Sequence, residues 1–191
     1  MSVVTDQDAY LLRENTGTTG LVHTARTVAE VLAHWNLPHL IVGGLAVQEH
    51  GYPRLTIDVD VVVPDILEAQ EFLTADLSGP FVRLPGNEVR LVDKRNRVEI
   101  DLLPGGKVLK QGCQVPFPNP VTVADHIQYI GLPDLISLKL DSWNGSPLRR
   151  VKDKADVVEL ITRRTLPREL AVAGAVRGLY LELWDGLKAE K

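Results

Sequence analysis

Between Leu21 and Trp35 the apolar residues fall at Leu21, Val22, Ala25, Val28, Ala29, Val31 and Leu32, the spacing of one face of a helix. Pro38 closes that helix, since proline has no amide hydrogen to continue it. The residues before it, 1–19, are polar and irregular and read as a loose lead-in. Residues 39–42 form a short apolar run that reads as a buried strand. Gly43-Gly44 breaks the run, and residues 45–50 read as the start of a helix. After the punctuation of Gly51-Tyr52-Pro53, the stretch TIDVDVVV (56–63) alternates aspartate with β-branched residues and then becomes solid valine. Pro64 ends this strand. Residues 66–77 follow as a helix opened by Asp65 as N-cap. Residues 81–84, 88–92 and 97–103 predict three strands joined by turns at Pro85-Gly86 and at 94–96.

The last third changes character. Residues 107–120 hold Gly112, Pro116, Pro118 and Pro120 and read as a connection. Helical patterns then cover 133–142, 149–163 and 167–188, with Pro133 and Pro167 at first helical positions and Asn144-Gly145-Ser146-Pro147 as a break. The expectation is an α/β (α+β) protein: a mixed sheet flanked by helices in a domain of residues 1–120, with a C-terminal helical segment, 121–191, completing a cleft.

Composition narrows the class. A length of 191 residues, with 45% hydrophobic and 24% charged, is that of an ordinary globular chain with a sizeable core. There is no apolar run of membrane-spanning length and no secretory pattern at MSVVTDQDAY, so no membrane role and a cytoplasmic location are expected. The single cysteine, Cys113, can form neither an internal disulfide nor a zinc site by itself. The net charge of −4 argues against a surface devoted to gripping nucleic acid, but a local basic face remains open.

The candidate chemistry lies on the strands. Side chains alternate faces along a strand, so Asp58 and Asp60 point the same way while Val59 and Val61 point to the other. Two adjacent carboxylates repel unless a cation lies between them. A hard divalent cation, Mg²⁺ or Mn²⁺, suits such a pair and keeps positions open for phosphate oxygens. Asp101, in the strand VEIDL, shares its face with Glu99, and beside TIDVDVVV it would reach the same metal. Three carboxylates can hold the cations that activate an attacking oxygen and stabilise a leaving pyrophosphate. The turn at Gly43 and Gly44 lets backbone approach a phosphate closely.

Together, Val42-Gly43-Gly44, Asp58-Val59-Asp60 and the later Asp101 resemble the signature of the DNA polymerase β-like nucleotidyltransferase superfamily. Arg54 and Thr56 in RLTIDVD resemble its AbiEii-type toxin branch. So does LISLKLDSWNGSPLRRVKDKADVVEL, with Lys139, the basic Arg149-Arg150, and Asp153 with Asp156. The resemblance covers roughly residues 38–162. Gly44 departs from the many active members that carry serine there.

The resemblance implies a palm-like sheet and a Mg²⁺-dependent enzyme that moves a nucleoside monophosphate from a nucleoside triphosphate (NTP) to an acceptor hydroxyl. Asp58 and Asp60 would bind both metals, and Asp101 would serve the acceptor. Gly43 and Gly44 would hold the β- and γ-phosphates, with Lys139 and Arg54 neutralising them. Asp153 or Asp156 would anchor a basic group or the base. The acceptor would be an RNA 3′ end, a protein or a small molecule such as an aminoglycoside, and a toxin-like member could have an antitoxin partner. A catalytically idle nucleotide-binding module is the rival reading. Arg149, Arg150, Lys152 and Lys154 suit a triphosphate or an RNA backbone, and equally a solvated helix start.

Overall fold

The computed structural model describes residues 17–84, 86–87, 89–122 and 127–189. Residues 1–16 of the expected lead-in, and Pro85 and Glu88 of the expected hairpin, lie outside them. Helix α1 spans Gly17–His34. It buries Leu21, Ala25, Val28 and Leu32, the stripe the spacing predicts. Strand β1 (Leu40–Ile41) leads into the short helix α2 (Gly43–Glu49). Strand β2 (Asp58–Val63) is followed by helix α3 (Ile66–Thr74), whose first amides at Leu67 and Glu68 donate to the Asp65 carboxylate. Strands β3 (Phe81–Arg83), β4 (Arg90–Asp93) and β5 (Glu99–Pro104) complete one sheet in the order β1-β2-β5-β4-β3.

Strands β2 and β5 run parallel, because the chain between them crosses over through α3 and the β3–β4 hairpin. The other three strand pairs are antiparallel. The mixed sheet flanked by helices expected from the sequence is therefore present. Helices α4 (Leu132–Gly145) and α5 (Val151–Arg164) follow as expected.

The expected helix over 167–188 differs. A 3₁₀ turn at Gly174–Val176 leads into α6, Arg177–Ala189, and the residues before it are not helical. Tertiary hydrogen bonds replace helical ones in this stretch. The Leu166 carbonyl accepts from the Trp184 indole at 2.8 Å and the Pro167 carbonyl from the Tyr180 hydroxyl at 2.7 Å. The Ala173 amide donates to Ser137 Oγ at 2.9 Å.

Two cores lie on opposite faces of the sheet. Val59, Val61, Ile100 and Leu102 pack against α1 and α3. Leu40, Val42 and Val62 pack against α2, α4, α5 and α6. The even-numbered side chains of β2 thus share the face of the C-terminal helices, but only Val62 joins their core. Asp58 and Asp60, nearer the start of the strand, stay partly accessible beside it. None of the described helices is long and apolar enough to cross a membrane.

Candidate metal centre and its ion-pair network

The parallel register sets Asp60 directly beside Asp101, and Asp58 beside Glu99. Alternation puts all four on one face. One carboxylate oxygen from each of Asp58, Asp60 and Asp101 lies within 4.8 Å of the others. Burial pushes the Asp60 carboxyl up to about 6, and the charges of Asp58 and Asp101 add to the shift. Lys139 and Lys110 pull it back in part. The Asp60 charge is therefore disfavoured where it stands, and a cation beside it would favour it. An all-oxygen donor set of this kind fits a hard divalent cation and not a soft one.

The two glycines explain how Asp60 is seated. Gly43 has φ +63°, and a Cβ there would stand 1.8 Å from Asp60 Oδ2. The Val42 amide donates to the Asp60 carbonyl at 3.0 Å, tying the start of α2 to β2. Gly43→Ala would combine this overlap with a left-handed backbone that alanine disfavours. It is expected to destabilise the protein by about 1–3 kcal/mol as Asp60 is displaced. Urea denaturation would measure the loss.

Gly44 is explained by Thr56. A Cβ at position 44 would meet Thr56 Oγ1 at 2.3 Å, and that hydroxyl donates to Asp58 Oδ1 at 2.9 Å. A threonine hydroxyl from the approaching loop fills the space a serine at 44 would need.

Arg90, which sequence reasoning missed, grips Asp101. Its Nε lies 2.6 Å from Oδ1 and its Nη2 donates to Oδ2 at 3.0 Å, while Nη1 donates to Glu99 at 2.9 Å. Burial raises the Asp101 carboxyl above its ordinary value, and the Arg90 charge and hydrogen bond oppose that rise. Each carboxylate oxygen has a second lone pair, so the pair with Arg90 leaves Asp101 able to serve a cation as well.

Beside the triad lies a second group. Arg54 Nε is 2.7 Å from Asp156 Oδ1, and its Nη2 donates to Oδ2 at 3.0 Å. Lys139 Nζ is 2.7 Å from Asp153 and 2.8 Å from Asp156. Asp156 is 1% exposed. Burial pushes the Asp153 carboxyl up, but Lys139 and a hydrogen bond from Ser142 hold it below its ordinary value. The structure thus joins Arg54, Lys139, Asp153 and Asp156 in one network drawn from the β2 approach, α4 and α5. Lys139 is a half-buried ion-pair partner, not a plain surface lysine. Of the expected basic cluster, Lys152 donates to the Leu55 carbonyl at 3.3 Å and Lys154 lies over the Trp143 ring at 4.7 Å.

Neither a known protein family nor a curated protein matches this sequence. Among solved structures, the chain is similar to the antibiotic-resistance factor ANT(2'')-Ia determined in solution. The identity is 15%, over 92% of this chain and 93% of that one, with a TM-score of 0.47. A likeness of that degree decides neither family nor substrate.

Proposed function

We propose that the protein is a divalent-metal-dependent nucleotidyltransferase that moves a nucleoside monophosphate from an NTP to an acceptor hydroxyl. The observation that carries this reading is the convergence of Asp58, Asp60 and Asp101 within 4.8 Å beside the Gly43 turn. Like charges this close and partly shielded from water are costly to keep together, and the Asp60 carboxyl is accordingly pushed up to about 6. An idle binding module would have no need of them.

Asp58 and Asp60 would hold Mg²⁺ or Mn²⁺, with Asp101 completing the donor set. When bound, such a cation lowers the energy of negative charge on the attacking and leaving oxygens. Asp101, oriented by Arg90, takes the proton of the acceptor hydroxyl. That oxygen forms a bond to the α-phosphorus as the bond to the β-phosphate oxygen breaks, and pyrophosphate leaves with the electron pair. Gly43 and Gly44, lacking side chains, let the β- and γ-phosphates approach the backbone closely. Lys139 uses two of its three N–H donors on Asp153 and Asp156 and keeps the third for phosphate. Asp156 fixes Arg54 in the same ion-pair network.

Incubation with α-labelled NTPs, Mg²⁺ and three acceptor classes (total RNA, extract protein, aminoglycoside-type small molecules) tests the reading. Label should pass to one class, and Asp60→Ala should abolish the transfer. Absence of transfer to any class, or transfer indifferent to Asp60→Ala, would overturn it. Transfer to RNA or protein would assign a toxin-like enzyme, for which an antitoxin is then to be sought. Transfer to the small molecule would assign antibiotic modification.

Arg90→Gln provides a finer check. With the guanidinium gone, Asp101 should turn over its acceptor about 10- to 100-fold more slowly, because its orientation is lost. The arginine opposes the rise of the Asp101 carboxyl, so its removal lets that carboxyl rise further. The acidic limb of the pH–rate profile should then move to higher pH.

A further inference from the structure

We propose that Lys110 and Lys152 supply, beyond the one free donor of Lys139, the unmatched positive charge that binds the polyphosphate of the nucleotide, an inference that rests on the nucleotidyl-transfer reading above. Within the ion-pair network the charges of Arg54 and Lys139 are already matched by Asp153 and Asp156. A triphosphate arriving beside three aspartates needs positive charge that no carboxylate has claimed. Among the described residues, Lys110 and Lys152 have no carboxylate partner in an ion pair, and they stand on two sides of that network.

Lys110 lies in the irregular connection after β5, which is nevertheless fixed. The Asp141 carboxylate on α4, 2% exposed, accepts from the Gln114 amide at 2.9 Å and the Val115 amide at 2.8 Å. The Lys110 carbonyl closes a turn by accepting from the Cys113 amide at 3.1 Å. The Lys110 ammonium then donates to Ser142 Oγ at 3.1 Å. Ser142 is three positions beyond Lys139, hence on the same face of α4, and it hydrogen-bonds Asp153. The charge of Lys110 reaches Asp60.

Lys152 occupies the first turn of α5. Its ammonium is 3.3 Å from the carbonyl of Leu55, the residue before Thr56, whose hydroxyl in turn holds Asp58. The charge of Lys152 is felt beside Arg54, Asp156 and Asp58. Each amine is held by one neutral oxygen and has donors to spare, so anionic oxygens are the stronger partners available to it. One amine stands on Ser142, the hydrogen-bond partner of Asp153, and the other on the Leu55 carbonyl, next to the Thr56 that holds Asp58. That placement suits a chain of linked phosphates better than a single one.

The test is equilibrium binding, with Ca²⁺ in place of Mg²⁺ to prevent turnover. The probes are the four NTPs, their monophosphates and inorganic tripolyphosphate. The wild type should bind its preferred triphosphate well above the matching monophosphate. Lys110→Gln and Lys152→Gln should each weaken triphosphate binding about tenfold, as expected for loss of a charge-assisted contact. Monophosphate binding should be unchanged. Tripolyphosphate should lose affinity in parallel with the NTP. Lys154→Gln, a change on the same helix whose ammonium lies on Trp143, should bind as wild type does. Wild-type triphosphate affinity in both Lys110→Gln and Lys152→Gln would overturn the assignment and leave the nucleotidyl-transfer reading standing. A wild-type protein that binds none of the probes would overturn both.

Discussion

Asp60→Asn is expected to abolish nucleotidyl transfer while making the metal-free protein more stable at neutral pH. The loss of transfer should be about 1,000-fold or more, since the variant forfeits several kcal/mol of metal-borne stabilisation. The gain in stability follows from the raised carboxyl. Burial and the charges of Asp58 and Asp101 lift Asp60 from 3.8 to about 6. The folded state therefore binds this proton more tightly than the unfolded one. The resulting stability is fully present below the unfolded value and is lost as pH rises through about 6. At pH 7.5 the ionised Asp60 thus costs up to about 3 kcal/mol, which the isosteric amide removes. Melting curves of both proteins from pH 4 to pH 8, with chelator present, should coincide best at the acid end. They should separate from about pH 4 to pH 6 and stay apart above that, with the variant higher by several degrees. Mn²⁺ should raise the wild-type melting temperature at pH 7.5, much less at pH 5, and leave the variant little changed. A variant less stable than wild type at pH 7.5 would show that Asp60 has a purely structural role.

Asp156→Ala is expected to give the largest loss of stability, about 3–5 kcal/mol, because it strands cations in a buried site. Arg54 and Lys139 side chains are each 11% exposed and both rest on this carboxylate. A double-mutant cycle separates the pair from general damage. Arg54→Met with Asp156→Leu should cost less than the sum of the two single changes, since neither partner is then left unpaired. Additive losses in denaturant would contradict the network. Asp153 retains Lys139 in every combination, so residual folding is expected.

How much of this was legible in the sequence depends on the range of the interaction. Asp58 and Asp60 share a face by alternation alone, and the apolar stripe of α1 follows from helical periodicity. The role of Asp101 could be anticipated only on the assumption that its strand lies beside β2, which the parallel register supplies. Arg90 was not legible, because its hold on Asp101 depends on the antiparallel pairing of β4 with β5. The Arg54–Asp156 pair joins residues 102 positions apart, and no local pattern announces it. Lys110 sits in a stretch with no periodicity, fixed by long-range contacts to Asp141 and Ser142. The Gly43-Gly44 turn is legible as a close-approach site, but which protein atoms crowd its two Cβ positions is not. The nearest atoms are in fact those of Asp60 and Thr56. The break before α6 is not legible in local periodicity, because Tyr180, Trp184 and Ser137 supply its hydrogen-bond partners from elsewhere in the fold.

Manganese placed in a crystal and located by its anomalous scattering is the most direct test of the metal centre. One or two peaks are expected among Asp58, Asp60 and Asp101, at about 2.0–2.6 Å from a carboxylate oxygen of each, the range for hard cations. Asp60→Asn crystals should lose the signal. Absence of a peak there in the wild type at neutral pH, with Arg90 still closed on Asp101, would contradict the assignment.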